Sequence, residues 1–321
     1  MRLADSAPVN ESLDETARPS AGAVIVNWNT PSLTVRAVKS LIRDGVNSDN
    51  VLIVDNCSTD ESCDVFMRKL RDVNVLRSPE NAGYARACNA GAATLEQAET
   101  LLFVNSDAAV HREGSIAALL EALKQSGVGV AVPRLVNSDL TLQTSVVPFR
   151  TPWVAFLLAT RLARLIPNRL QPRWGMYWDH RTSCEIRSAT GAVIAVRREA
   201  WQDLGGFYEG AHLFAEDHDL FWRAFRLGWK TWFVSEAEFV HEGGASTDSA
   251  FSAAARADAV ARAEAALIRR QLDPIRAYLT LRILQLGFAA RSASYFAMGN
   301  RAKARELAAS MRVPVRPEER G

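Results

Sequence analysis

The chain has 321 residues, of which 48% are hydrophobic and 23% charged, proportions that are ordinary for a soluble globular protein. Its formal net charge of +2 excludes the strong basic excess of a dedicated nucleic-acid binder. The four cysteines form no CxxC pair, which argues against a zinc site or a disulfide framework, and no apolar run reaches the ~18 residues of a membrane-spanning helix.

Strands and helices alternate in the first part of the chain. Pro31 lies where the first helix can begin, and Gly45 ends that helix. Alternation of this kind predicts a doubly wound, mostly parallel α/β sheet with helices on both faces. The short apolar runs that predict its strands are 23–26, 51–54, 73–76, 101–104 and 128–132.

The second part of the chain is less regular. Residues 140–190 mix Pro, Trp and basic residues without a clear period. A helix is predicted over 216–227 and a strand over 229–234, followed by a loop that carries His241. Two long amphipathic helices, 253–271 and 275–298, predict a C-terminal helical extension.

Polar side chains follow three of the predicted strands. Asn27, Asp55 and Asp107 each end an apolar run, and in a parallel sheet such positions share the edge where ligands bind. Asp55 can bind a base or ribose, or it can simply cap the next helix. Asp107, with Asn105 two residues before it, suits a hard divalent cation, although an aspartate here can also only start a turn.

Two later segments offer a base and a further ligand. Glu216-Asp217-His218-Asp219 opens a helix, where acidic residues are favoured by the helix dipole and can also present a general base. His241 precedes Gly243-Gly244, whose backbone permits close approach to a ligand; a structural histidine is the plainer alternative.

Two basic segments have two interpretations each. Arg86, on the first turn of an Ala-rich helix, can contact a phosphate or can be a solvated surface residue. The segment 153–173 combines an apolar run with four arginines, so it either packs on the core or lies on an anionic membrane.

Taken together, these segments resemble the inverting glycosyltransferases of family 2, which have the GT-A fold, and bacterial rhamnosyltransferase-type members in particular. The resemblance spans about 23–246. Its motifs are VIVNWN at 24–29, VDNCSTD at 54–60, NAGYA at 81–85, NSD at 105–107, Gly191 ahead of RREAW at 197–201, GGF at 205–207, EDHDL at 216–220, and His241.

The resemblance implies a role for each matched residue. Asp217 would be the catalytic base, supported by Glu216, while Asp107 and His241 would hold Mg²⁺ or Mn²⁺ on the donor diphosphate. Gly191 would belong to the acceptor side. One departure is that Asn105 stands where the family's metal motif has its first acid. The residues implied to bind the nucleotide-sugar are Asn27, Asp55, Asn81, Arg86, Asn105 and Ser106.

The resemblance also implies a domain plan. A GT-A catalytic domain would cover 22–250, with a nucleotide-binding half (22–133) and an acceptor and catalytic half (134–250). A disordered leader (1–21) would precede it, and a helical region (251–312) and a flexible tail (313–321) would follow.

The implied activity is metal-dependent transfer of a sugar from a dTDP- or UDP-sugar, with dTDP-rhamnose as the first expectation. The acceptor would be a hydroxyl of a glycan or lipid-linked glycan in cell-surface polysaccharide synthesis. A cytoplasmic protein is expected, with contact to the inner membrane surface and a homo-oligomer through the C-terminal helices as further expectations. No nucleic-acid partner is expected.

Two other functions remain open at this stage. A sugar-1-phosphate nucleotidyltransferase also uses a doubly wound sheet and a metal, but it usually carries a Gly- and Arg-rich loop after the first strand, and residues 27–32 hold neither residue type. A catalytically dead carbohydrate-binding protein of the same fold is the alternative without enzyme activity.

Overall fold

The computed structural model of the protein describes residues 21–174, 177–210, 215–243 and 253–310. Within these ranges the chain forms one ten-stranded sheet flanked by helices. The strands are β1 (Ala21–Asn27), β2 (Val51–Asp55), β3 (Asn74–Arg77), β4 (Thr100–Asn105), β5 (Ala108–Val110), β6 (Val128–Val136), β7 (Leu142–Gln143), β8 (Cys184–Ile186), β9 (Val193–Arg197) and β10 (Lys230–His241).

The strand order is β3-β2-β1-β4-β9-β6-β10-β5, with β7 paired to β6 and β8 paired to β10. β1 runs parallel to β2 and β4, β2 runs parallel to β3, and β6 runs parallel to β10. β9 is antiparallel to both of its neighbours. The predicted doubly wound fold with mostly parallel main strands is therefore confirmed, and the reversed strand follows the stretch where the regular alternation stops.

Helices cover both faces of the sheet. Ala23 and Ile25 of β1 belong to one buried cluster and Val24 to another, because successive side chains of a strand point to opposite faces. The helices are α1 (Pro31–Arg43), α2 (Ser62–Lys69), α3 (Tyr84–Thr94), α4 (Ser115–Leu123), α5 (Pro152–Ala159), α6 (Gln171–Trp174), α7 (Arg198–Leu204), α8 (Glu216–Arg226), α9 (Ala253–Gln271), α10 (Pro274–Ala297) and α11 (Arg301–Ser310).

A glycine sets how closely α3 lies on the sheet. A Cβ at Gly91 would stand 2.5 Å from Cγ1 of Val24, so only glycine lets the helix approach β1 to this distance. The close packing fixes the start of α3, and therefore Tyr84, beside the carboxyl end of the sheet.

The C-terminal helices form a smaller core of their own. Ala265 and Ile268 of α9 are fully buried with Leu281 of α10 and Ala155 of α5. Gly287 of α10 lies so close to α5 that an added Cβ would stand 2.5 Å from Cβ of Ala159. The predicted helical extension is thus packed onto the segment that follows β7.

Most predicted elements occur within a few residues of their expected bounds. One prediction is wrong: His241 is the last residue of β10 and does not lie in a loop, because the strand continues past its predicted end and pairs with β5. The predicted leader, except Ala21, and the predicted tail lie outside the described residues. In the part of the chain that is described, no helix combines the length and apolarity needed to cross a membrane.

Candidate active site

One cavity of about 730 Å³ lies beyond the carboxyl ends of the parallel strands. The strand ends contribute one part of its wall, the start of α8 a second, and α9 with the segment before α5 a third. Sheets of this kind bind ligands at this edge. The lining residues used below are Trp28, Asn56, Asn81, Tyr84, Asn105, Ser106, Asp107, Val147, Pro148, Phe149, Arg150, Gly191, Glu216, Asp217, His218, His241, Arg256, Val260, Glu264, Leu267 and Gln271.

Asp107 and His241 meet on the cavity wall. Nε2 of His241 lies 3.3 Å from Oδ1 of Asp107, and both side chains are largely buried. They are brought together because β10 and β5 pair with His241 opposite Ala108, the residue after Asp107.

Gln143 of β7 fixes the orientation of the His241 ring. Its Nε2 donates to Oδ1 of Asn137 at 3.0 Å and to the backbone oxygen of His241 at 3.2 Å, so its Oε1 is the atom that faces the ring. Oε1 lies 2.7 Å from Nδ1 of His241 and can only accept a hydrogen bond. This network assigns a proton to Nδ1 and makes Nε2 the ring atom that faces Asp107.

The pair has the chemistry of a divalent-cation site. A carboxylate oxygen and an imidazole nitrogen are suitable ligands for Mn²⁺, and the carboxylate also for Mg²⁺. The described residues contain no cluster of three or more His, Cys, Asp or Glu able to hold a metal. Two protein ligands fit a cation that takes its remaining ligands from substrate phosphates and water.

The backbone of Gly191 holds the Asp217 carboxylate. The Gly191 N–H donates to Oδ2 at 2.7 Å, and the His218 N–H donates to Oδ1 at 2.7 Å. A Cβ at position 191 would stand 2.6 Å from Cβ of Asp217, so a larger residue would displace this carboxylate. Asp217 therefore has a fixed geometry and faces the cavity, as a base must.

Glu216 lies beside Asp217 with one buried oxygen, Oε2, that has no hydrogen-bond partner among the described residues. Burial, reinforced by the negative charge of Asp217, raises the pKa of Glu216 to about 7. Burial also raises the pKa of Tyr84 well above its usual range, so this phenol stays protonated on the same wall. Near neutral pH, Glu216 is therefore partly protonated.

The other two residues of the acidic segment, His218 and Asp219, lie in different surroundings. His218 lines the cavity, with Nδ1 2.7 Å from the hydroxyl of Ser188. Asp219 is buried on the opposite side of α8, where Oδ2 accepts from Nε of Arg223 at 2.6 Å and Oδ1 lies 3.4 Å from Nε of Arg270. Asp219 therefore forms ion pairs that join α8 to α9 and has a structural role.

Asn27 and Asp55 form a buried hydrogen-bond network at the ends of β1 and β2. Both side chains are fully buried and are not part of the described cavity wall. Nδ2 of Asn27 donates to Oδ1 of Asp55 at 2.9 Å and to Oγ of Ser58 at 3.0 Å, while Oδ1 accepts from Thr34 at 2.7 Å. Because β1 and β2 place Asn27 opposite Asp55, the two residues bond each other and brace the loop after β2.

Arg86 also lies outside the described cavity wall. Its Nε is 3.4 Å from a carboxylate oxygen of Glu209, and the side chain is 56% exposed. Asn81 does line the cavity, and its Oδ1 accepts from Nδ2 of Asn56 at 2.9 Å. The wall thus brings together Asn81, Asn105 and Ser106 of the predicted nucleotide-sugar residues, together with Asn56, which was not predicted.

Sequence reasoning missed Gln143 and the ion pair between Arg150 and Glu264. Gln143 and His241 are separated by 98 positions, and Arg150 and Glu264 by 114, so no local period links either pair. Trp28 and Asn56 come directly after the strand-end residues Asn27 and Asp55, and this position could have identified them as cavity residues.

Family models match most of the described chain. The model described as Glycosyl transferase family 2 matches residues 23–203, and the one described as Glycosyl transferase family group 2 matches residues 170–295.

The chain is 28% identical over 225 residues to N-acetylglucosaminyl-diphospho-decaprenol L-rhamnosyltransferase of Mycobacterium tuberculosis, covering 62% of this chain and 68% of the relative. The mannosyltransferase PcManGT of Pyrobaculum calidifontis, solved with GDP-Man and Mn²⁺, superposes with a TM-score of 0.59 at 18% identity over 92% of this chain and 86% of its own. GalNAc-T7, solved with UDP, GalNAc and Mn²⁺, superposes with a TM-score of 0.52 at 18% identity over 69% of this chain, which spans only 43% of that protein.

Proposed function

The chain belongs to glycosyl transferase family 2, and on that premise we propose that it is an inverting transferase that moves a sugar, with rhamnose as the first candidate, from a nucleoside-diphosphate sugar to a hydroxyl of a lipid-linked glycan. The observation that carries the proposal is the shared cavity. Asp217 faces the same space as the pair formed by Asp107 and His241.

Asp217 is the proposed base. Its carboxylate accepts the proton of the acceptor hydroxyl while the oxygen attacks the anomeric carbon of the donor. The bond from that carbon to the diphosphate oxygen breaks, and the nucleoside diphosphate leaves with the electron pair. Gly191 supports this role because its N–H fixes Oδ2, and positioned bases of this kind contribute about 10²–10⁴-fold in rate.

Asp107 and His241 would hold Mg²⁺ or Mn²⁺ at the diphosphate. When bound, the cation supplies positive charge where the leaving group develops negative charge. Gln143 keeps the Nε2 lone pair of His241 available for this role. Asn105, which replaces an acid of the family motif, contributes a neutral oxygen on the same wall.

The nucleotide-sugar would lie along the strand ends, against Trp28, Asn81, Asn105 and Ser106. Asn27 and Asp55 would act indirectly, by holding the loop after β2, and Arg86 would reach the donor only after leaving Glu209. A dTDP- or UDP-sugar is proposed because one relative is named a rhamnosyltransferase and one structural neighbour holds UDP.

Because the proposed acceptor is linked to a lipid, we infer that the protein is a cytoplasmic, peripheral protein at the inner face of the cell membrane. Trp153 is 57% exposed and stacks on Phe156, and Leu165 is 78% exposed among Arg161 and Arg164. Aromatic and basic side chains together favour an anionic membrane surface. Exposed apolar residues of α10, such as Leu286, would be covered in a homo-oligomer formed through the C-terminal helices.

A panel of nucleotide-sugars tests the proposal. The full chain is incubated with each donor, Mn²⁺ and a lipid-linked N-acetylglucosamine acceptor, and the release of nucleoside diphosphate is measured. One donor is expected to react, with EDTA abolishing turnover. Asp217→Asn should lower kcat by about 10²–10⁴-fold with unchanged donor affinity.

Asp203→Asn serves as the matched control. Asp203 accepts from Nε1 of Trp229 at 3.0 Å and lies away from the described cavity wall, so its variant should keep wild-type turnover. A wild-type protein that releases no nucleoside diphosphate from any donor would refute the proposed function.

A further inference from the structure

The cavity has a second half that the proposed donor does not use. Among the described residues, the apolar side chains that line it are Val147, Pro148, Phe149, Val260 and Leu267. Apolar walls of this kind stay in contact with water unless an apolar group covers them. A free sugar with hydroxyls all round would leave most of this surface uncovered.

α9 is built to form this wall. Arg256, Val260, Glu264, Leu267 and Gln271 recur every three or four residues and therefore share one helical face, which lines the cavity. The opposite face, which includes Ala265 and Ile268, is buried against α5 and α10. The helix is thus held rigidly from behind, and its cavity face is fixed in place.

An ion pair crosses this half of the cavity. Nε of Arg150 donates to Oε1 of Glu264 at 2.6 Å, and the two side chains are 23% and 31% exposed. Both residues line the cavity, and Arg150 comes from the segment opposite α9. The guanidinium therefore already binds an oxyanion inside the cavity, and phosphate is another oxyanion that arginine binds through charge-assisted hydrogen bonds.

We propose that this half is the acceptor subsite and that it takes a sugar carried on a phosphorylated lipid, with Arg150 binding the acceptor phosphate in place of the Glu264 carboxylate. The inference rests on the proposed function. In this arrangement the apolar residues cover the first part of the lipid chain, and the acceptor hydroxyl reaches Asp217. Arg150 lies two residues before α5, which carries the exposed Trp153 and Phe156, so the lipid could continue onto that surface.

Two acceptor probes separate charge from sugar recognition. One is N-acetylglucosamine joined through a diphosphate to a short isoprenyl chain, and the other is the uncharged octyl glycoside of the same sugar. Initial rates are measured on the full chain with the donor that the wild-type protein uses. Arg150→Gln should raise the KM of the diphosphate probe about 10- to 100-fold, the range expected for losing a hydrogen bond to a charged group. The KM of the octyl glycoside and the KM of the donor should change less than about twofold.

Glu264→Gln provides the opposite expectation. Since it removes the competing carboxylate, it should lower the KM of the diphosphate probe several-fold and leave the octyl glycoside unaffected. Glu264→Gln also tests the inference if Arg150→Gln fails to fold. An unchanged or raised KM of the diphosphate probe in Glu264→Gln overturns the inference. The control is Arg262→Gln, which breaks an exposed ion pair with Asp258 on the same helix and should leave both probes at wild-type values.

Other results would contradict the proposed acceptor subsite and leave the proposed transferase function unaffected. An equal rise in KM for both probes would show that Arg150 only supports the fold of the cavity. A rise in the donor KM would place Arg150 at the donor diphosphate. If the wild-type protein releases no nucleoside diphosphate at all, the failure lies in the proposed function and not in the acceptor subsite.

Discussion

At the residue scale, the proposed cation site depends on an uncharged side chain as much as on its two ligands. Gln143 accepts the Nδ1 proton of His241 and also donates to the backbone of that residue. Partners of this kind set the tautomer and the orientation of a ligating histidine. Gln143 is therefore expected to control the metal affinity without touching the metal.

Replacing Gln143 tests this positioning role. Gln143→Leu should weaken Mn²⁺ binding about 10- to 100-fold, as measured by electron paramagnetic resonance of free Mn²⁺, because the ring loses its hydrogen-bond partner. Gln143→Glu, which can still accept from Nδ1, should bind Mn²⁺ within a fewfold of wild type. Equal affinities for the leucine variant and wild type would contradict the role.

Glu216 makes the stability of the protein depend on pH. Its pKa is raised from 4.5 to about 7, so the folded state holds this proton more tightly than the unfolded state does. The stabilisation from the proton is complete below about pH 4.5 and is lost as the pH rises through 7.

Glu216→Gln should remove this pH dependence. At pH 8 the variant is expected to be more stable than wild type by up to about 3 kcal/mol, and at pH 5 the difference should shrink to a small fraction of that. Urea unfolding at the two pH values measures the change. A variant that is less stable than wild type at pH 8 would mean that the carboxylate is stabilised in the fold by a partner.

At the element scale, α8 serves two purposes through two faces. Glu216, Asp217 and His218 face the cavity, whereas Asp219 joins Arg223 of the same helix and Arg270 of α9. Arg223 also donates to the backbone oxygens of Leu204 and Gly206. The ion pairs thus fix the helix that carries the proposed base.

Asp219→Asn should destabilise the fold by about 1–3 kcal/mol. This is below the ~3–5 kcal/mol of a fully buried pair because both arginines reach solvent. Urea unfolding measures the loss, and Asp258→Asn, in an exposed pair on α9, should change the free energy of unfolding by no more than about 0.5 kcal/mol. A neutral Asp219→Asn would show that α8 is held by its apolar face alone.

At the scale of the whole molecule, the cavity is formed by parts far apart in sequence. The strand ends, α8 and α9, the first of the C-terminal helices, each supply one wall. A ligand that touches all three stabilises the folded state as a unit, since none of these walls exists in the unfolded chain.

Mn²⁺ and the true donor together should therefore raise the melting temperature. A donor at about 100 times its Kd adds ~2.7 kcal/mol, which corresponds to roughly 4 °C for a chain of this size. Thermal shift with each nucleotide-sugar, with Mn²⁺ or with EDTA, measures the effect. Asp107→Ala should lose the Mn²⁺-dependent part, and a shift that is the same with EDTA would refute a metal role for Asp107.

The sequence by itself determined the alternation of strands and helices in the first part of the chain and the separate segments that contain Asp107, Asp217 and His241. The alternation follows from local periodicity, and the segments were identified by their polar residues and by their resemblance to family motifs. Only the tertiary structure decided that Asn27 and Asp55 bond each other inside the fold, that Asp219 faces Arg270, and that Gln143 holds His241. Those outcomes depend on contacts between segments far apart in the chain, and a one-dimensional pattern contains no information on which way such a side chain points.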